Sequence, residues 1–189
     1  MKIKILKANL RGTRNYLHSA TVLNHIYNEN NRFKEIKFHK MTSNQIEFCN
    51  EKKKSFCGEI YFDEGEKNTN IVYMNETNIP INKSEEYPEK EIIDMISKKN
   101  DKLIFKTSSK KFTFFDITIA MIKHLNYIRY PSAKKKWIAG SYKLFNNKID
   151  IFPKYEIVVG MNKFISGNFS NNIVYYKSSK VAESNFFLI

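Results

Sequence analysis

The chain has 189 residues and a mass of 22.4 kDa, enough for one large domain or two small ones that each bury a core. With 42% hydrophobic and 14% aromatic residues, and only 6 Gly and 4 Pro, it reads as a compact globular protein, which excludes disordered, collagen-like and low-complexity classes. The net charge of +13 points towards anionic partners, but Arg11, Arg14, Arg32 and Arg129 are the only arginines, and lysine scattered among abundant Asn and Ile is what a compositional bias produces; specific nucleic-acid recognition, which draws on the planar guanidinium fork, is disfavoured.

The N-terminal run MKIKILKANLRGTRNY never reaches an apolar signal core, and no stretch of about 18 apolar residues occurs, so the expected location is the cytoplasm, with no membrane span. Ile3 to Leu6 forms a short apolar alternation, followed by a polar turn at Arg11-Gly12-Thr13-Arg14. In YLHSATVLNHIY, Tyr16, Ala20, Leu23 and Tyr27 recur at helical spacing while Leu17, Val22 and Ile26 widen the apolar surface, predicting a helix wrapped on most sides. Strand-like runs follow at Phe33–His39, Gln45–Cys49, Phe56–Phe62 and Ile71–Met74. Cys49 and Cys57 are the only cysteines, and their spacing relative to His39 matches no zinc knuckle, so they are expected to be structural thiols on neighbouring strands, and no metal is expected.

Residues 76–101 carry Pro80, Pro88 and several acidic residues, with a short helix predicted after Pro88 from Ile92, Ile93 and Ile96. A second series then opens: a strand at Leu103–Lys106, a polar break at Ser108-Ser109-Lys110-Lys111, and FFDITIAMIKHLNYI. Ile117, Met121, Leu125 and Ile128 share one face of that segment and Phe115, Ile119 and Ile122 the next, so this helix too is apolar nearly all round. Four more strands are predicted at Trp137–Phe145, Tyr155–Phe164, Asn172–Lys177 and Lys180–Ile189, with turns at Asn146-Asn147, Ser166-Gly167 and Ser178-Ser179. Each half thus runs strand, buried helix, four antiparallel-type strands, and a slide of 98 positions sets Tyr16 on Phe114, Leu17 on Phe115, His18 on Asp116 and Leu23 on Met121. The repeat lies in the pattern, not in residue identity.

The ending NIVYYKSSKVAESNFFLI resembles the terminal hairpin of the hot-dog superfamily, and YKLFNNKIDIFPKYEIVVGMNKF is similar to its central strands, with Phe152-Pro153 standing at a turn that in those enzymes is commonly Pro-Gly. The resemblance covers residues 102–189, with the first half looking like a degenerate copy. It implies an α+β fold of two tandem hot-dog units, each a curled antiparallel sheet round a buried helix: residues 1–78, a linker with a short helix at 79–101, and residues 102–189. Double hot dogs resemble the β-hydroxyacyl thioester dehydratases, in which a histidine ahead of one helix and an acid in the other half serve as base and acid. The resemblance therefore implies His18 and Asp116 as the catalytic pair, with Tyr16 and Phe115 beside the substrate. The family's Gly- and Pro-rich stretch before the histidine is missing, and Ala120 stands where Gln or His often follows the acid.

An imidazole and a carboxyl held out of water suit removal of an α proton and protonation of a departing hydroxyl, while amides at the N-terminus of the buried helix could polarise the thioester carbonyl. Hydrolysis of the thioester by a carboxylate such as Asp116 is the alternative chemistry, and a binding module without catalysis another. Asp116 also reads as the N-cap of a helix over 117–128, and His18 as either a first-turn residue facing solvent or a hydrogen-bonded interior residue. His25 and His124, late in their helices, read as imidazolium groups on C-terminal carbonyls, and His39 as lining a cleft or facing water. Trp137, Tyr142 and Phe145 read as packing within a strand more readily than as a platform for bases. Lys52-Lys53-Lys54 and Lys134-Lys135-Lys136 form the densest basic patches; on the hot-dog reading the second is a docking rim for an acyl carrier protein or acyl-CoA. No cofactor motif is present. The assembly expected is a monomer with pseudo-dimeric halves or a homodimer. A basic nucleic-acid-binding α/β protein is the remote alternative, which would lose affinity steeply with added salt.

Overall fold

The computed structural model describes residues 4–29, 33–63, 69–106, 110–131, 134–145, 149–165 and 167–189. Ile3, the Ser108-Ser109 break, the Asn146-Asn147 turn and Ser166 lie outside them. The chain divides into two units, Met1–Tyr87 and Pro88–Ile189.

In the first unit, β1 (Lys4–Leu6) and β2 (Leu10–Arg11) lead into α1 (Ser19–Glu29), followed by β3 (Phe33–Phe38), β4 (Asn44–Cys49), β5 (Phe56–Asp63), β6 (Thr69–Pro80) and β7 (Ser84–Glu85). The antiparallel order is β1-β4-β6-β5-β3, and β2 pairs separately with β7 in parallel. Alternation sends Ile36, Ile46, Phe48, Ile60, Val72 and Met74 to one buried face, with Ile36 opposite Ile60, Ile60 opposite Val72 and Phe48 opposite Met74. The buried stripe of α1 is Ala20, Val22, Leu23 and Ile26, and the His25 ring stacks on Phe48 at 5.7 Å, fixing the helix over this sheet. Cys49 and Cys57 are buried free thiols. They do not lie on adjacent strands, because β4 and β5 each pair with β6 and not with one another.

The second unit starts with α2 (Glu89–Asp94), which Pro88 caps as expected, then β8 (Ile96–Lys99), β9 (Lys102–Phe105), α3 (Phe114–Arg129), β10 (Trp137–Leu144), β11 (Ile157–Ile165), β12 (Phe169–Tyr176) and β13 (Ser179–Leu188). Its order is β10-β13-β12-β11-β9-β8, antiparallel at every junction. Two tight hairpins place consecutive residues in the left-handed region, Asn100 and Asp101 between β8 and β9 and Lys177 and Ser178 between β12 and β13, the twist-matched turn that two-residue loops favour. Eight apolar residues of α3 from Phe114 to Leu125 are buried, on all its faces. Phe114 packs edge-on against Tyr176 and Phe115 against Tyr142, whose hydroxyl donates to Thr118 Oγ1 at 3.1 Å. A helix wrapped in this way by strands of its own unit is the reason its sequence lacks a polar face.

Residues 79–101, read from the sequence as a linker, are shared between the two units. Asn44 pairs with Pro80 and β7 with β2 in the first unit, whereas α2 is tied to α3 by the Glu89–Lys123 ion pair and β8 pairs with β9 in the second. Ile96, expected in the short helix, begins β8, because the helix ends at Asp94. No helix among the described residues is long and apolar enough to cross a membrane.

Candidate active site

The helix predicted from Tyr16 begins at Ser19, so His18 is the residue just ahead of it, with its carbonyl accepting from Thr21 N at 3.0 Å and Val22 N at 3.4 Å. Leu17 N donates to Thr42 O at 2.7 Å and anchors this entry to the strand side of the unit. His18 is only 3% exposed, not a solvent-facing first-turn residue. Its ring lies 4.6 Å from that of Tyr87, and the guanidinium groups of Arg14 and Arg11 stand over the same tyrosine at 4.8 and 5.4 Å. Arg11 Nε is also 3.2 Å from Glu85. Tyr16 is half-buried on the same approach.

Asp116 is 8% exposed and sits inside the first turn of α3, not at its N-cap. Thr113 is the N-cap: its hydroxyl accepts from Asp116 N at 3.1 Å and donates to Asp116 Oδ2 at 2.6 Å, and Thr113 N donates to the same oxygen at 3.4 Å. This is a reciprocal capping box, with an acid in the first turn where the helix dipole favours it. Measured from the helix starts, Ser19 and Phe114, His18 is equivalent to Thr113, three residues ahead of Asp116, so the 98-residue slide does not carry through to the caps. Two of the α3 amides expected to polarise a carbonyl are already engaged, Phe114 N by Ile151 O at 2.7 Å and Asp116 N by Thr113.

Phe115 has no accessible surface: its ring is enclosed by Phe114 and Tyr142, which makes it a core side chain, not the substrate-facing residue expected. Trp137 and Tyr142 are likewise core, and burial holds the Tyr142 hydroxyl far above its usual pKa. Phe145 is exposed, with Lys143 and Lys180 on its ring at 5.3 and 4.5 Å. Lys134, Lys135 and Lys136 are all exposed, and the backbone of Lys136 exchanges two 3.0 Å hydrogen bonds with Ile189. Lys53 of the other basic run pairs with Glu47, and Lys52 lies over Phe56 at 4.1 Å. Desolvation lowers the pKa of both His25 and His124, in His25 against the pull of Glu29, which disfavours the charge expected of C-terminal imidazolium groups. His39 is exposed and 3.4 Å from Glu59 Oε1. Among the described residues no group of three or more His, Cys, Asp or Glu side chains could hold a metal ion.

Sequence reasoning missed Thr113 and Tyr87. The first was legible, since Thr-x-x-Asp is a capping-box signature; the second carries no signal at its distance along the chain.

No protein-family model and no curated protein sequence matches the chain. Solved structures do. A Thermobifida fusca YX protein named as a candidate thioesterase II superposes with a TM-score of 0.50 at 8% identity, covering 100% of this chain and 93% of that one. The dehydratase domain of PpsC from Mycobacterium tuberculosis, in complex with C12:1-CoA, gives 0.48 at 8% identity, covering 99% and 93%. The first of these likenesses, at a TM-score of 0.50, gives the fold as α+β and hot-dog. At such identity the likeness concerns the fold alone.

Proposed function

We propose that the chain is a tandem hot-dog protein that acts on an acyl thioester, with His18 as base at the α carbon and Asp116 as acid at the departing 3-hydroxyl. The observation that carries this reading is that each unit holds one titratable side chain at the N-terminal end of its buried helix and nearly out of water, His18 at 3% and Asp116 at 8% exposure. Low local dielectric strengthens acid–base work of this kind. Likeness in fold to a candidate thioesterase II supports thioester chemistry and leaves hydrolysis as the neighbouring reaction. Lys134, Lys135 and Lys136, all exposed, are the surface on which an acidic acyl carrier protein or the phosphates of acyl-CoA would land.

The test is turnover of a panel of 3-hydroxyacyl and saturated acyl thioesters by the parent, His18→Ala and Asp116→Asn, with enoyl absorbance reporting dehydration and free thiol reporting hydrolysis. Loss of about 10²–10⁴-fold in either variant is expected. Thr113→Ala, which removes the cap and keeps the carboxyl, separates a structural loss from a chemical one. Folded variants as fast as the parent would sink the proposal. A second reading, an acyl-binding module without catalysis, is favoured by the capping-box use of Asp116; it predicts no turnover by the parent and acyl binding that survives both substitutions.

A further inference from the structure

A cavity of about 430 Å³ opens in the first unit, lined by residues of β1 and the segment after it, of β4, and of the end of β6 and the segment after it. Its lining includes Ile5, Lys7, Gln45, Ile79, Asn82 and Lys83, and no carboxylate. The frame is built by hydrogen bonds: the Gln45 amide accepts from Ala8 N at 2.8 Å and donates to Ala8 O at 3.0 Å, Leu10 N donates to Lys83 O at 2.9 Å, and Ile81 N to Ser43 O at 3.0 Å. The volume lies within the 300–1,000 Å³ range of small-molecule sites.

Charge sets the ligand class. In this unit Lys4 pairs with Glu29, Lys37 with Glu35 and Glu59, Lys40 with Glu76 and Lys53 with Glu47, while Lys34, Lys52 and Lys54 face no carboxylate among the described residues but do not line this cavity. Lys7 and Lys83 have no carboxylate partner among the described residues, and the acid nearest in sequence, Glu85, is already held by Arg11 at 3.2 Å and by Asn9 Nδ2 at 3.2 Å. Beside these two ammonium groups Ile5 and Ile79 remain exposed. Uncompensated positive charge next to exposed aliphatic surface, round a preformed concavity, is complementary to an anion with a short hydrocarbon body.

We propose that this cavity is a binding site for an amphipathic anion, a carboxylate or phosphate monoester on a short alkyl chain, with Lys7 and Lys83 as its counter-charges. Its lining includes neither His18 nor Asp116, and binding there requires no turnover.

Octanoate and octyl phosphate, titrated separately into the ¹⁵N-labelled full chain, are the two probes, with 1-octanol as the neutral control. Saturable shifts at Ala8 and at the Gln45 side-chain amide are expected with at least one anion. Octanoate alone identifies a carboxylate ligand, octyl phosphate alone a phosphate ester, and both the shared chemistry. Lys7→Glu/Lys83→Glu, changing two exposed side chains and leaving the fold intact by circular dichroism, should weaken binding by about tenfold or more, as loss of two charge contacts predicts. Shifts with neither anion, equal shifts with octanol, or undiminished binding by the double variant would overturn the proposal.

Discussion

Burial decides the behaviour of single side chains here. The folded-state pKa values of His25 and His124 lie below the ordinary 6.5, with desolvation the largest cause in each. The unfolded chain therefore binds more protons than the folded one once the pH drops through about 6.5, so stability falls as acid is added. A melting temperature that declines from pH 7.5 to 5.5 is expected, with a shallower decline in His124→Gln; equal slopes would assign the effect to other groups. Glu76 works at lower pH: the Lys40 ammonium and the Thr42 hydroxyl pull its pKa below 4.5, and its stabilising share is present above 4.5 and lost as the pH falls further. Asn75 has no exposed surface, and its amide donates to Cys49 Sγ and Glu51 O at 3.0 Å each while accepting from Lys53 N at 3.0 Å. Asn75→Ala removes all three bonds and leaves Lys53 N without this acceptor, while Cys49 Sγ still donates to Glu51 O at 3.1 Å; the cost should be about 1–2 kcal/mol in urea denaturation. Cys57, pushed up to about 11 chiefly by burial, should react with iodoacetamide at pH 8 far more slowly than a free thiol.

At the level of elements, periodicity was a good guide and capping a poor one. The heavy apolar surface of residues 114–128 announces a buried helix, and the strong N-cap preference of Asp points to Asp116 as the cap of a helix over 117–128; the reciprocal bonds with Thr113 start the helix at Phe114 instead. Thr113→Ala should therefore destabilise the second unit by about 1 kcal/mol, measured by thermal melting. Gly58 has a different reason to be glycine. A Cβ there would lie 2.6 Å from Lys37 O across the β3–β5 pair and 2.2 Å from Met74 Cε, at a register shift in β5. Gly58→Ala should cost about 1–3 kcal/mol, since the methionine can move and the β3 carbonyl cannot without disturbing the ladder. The two-residue strands β2 and β7 left no trace in the sequence, because a parallel pairing between segments so far apart has no local signature.

For the whole molecule, the second unit carries its own helix, six-stranded sheet and hairpins within Pro88–Ile189. Expressed alone, residues 88–189 should melt in one cooperative transition with native-like near-ultraviolet circular dichroism; a broad, non-cooperative melt would mean that this unit depends on residues 1–87. The sequence by itself determined the α+β class, both buried helices and the course of nearly every long strand, because hydrophobic period is a local property that survives any divergence in residue identity. It also singled out His18 and Asp116, from the resemblance. Only the tertiary structure decided how residues 79–101 divide between the units, that Cys49 and Cys57 flank one strand without sharing a pairing, that Phe115 is core, and that Tyr87 and two arginines gather beside His18. Each of those depends on strand order and side-chain contact between residues distant along the chain, and no periodicity within a short window records either.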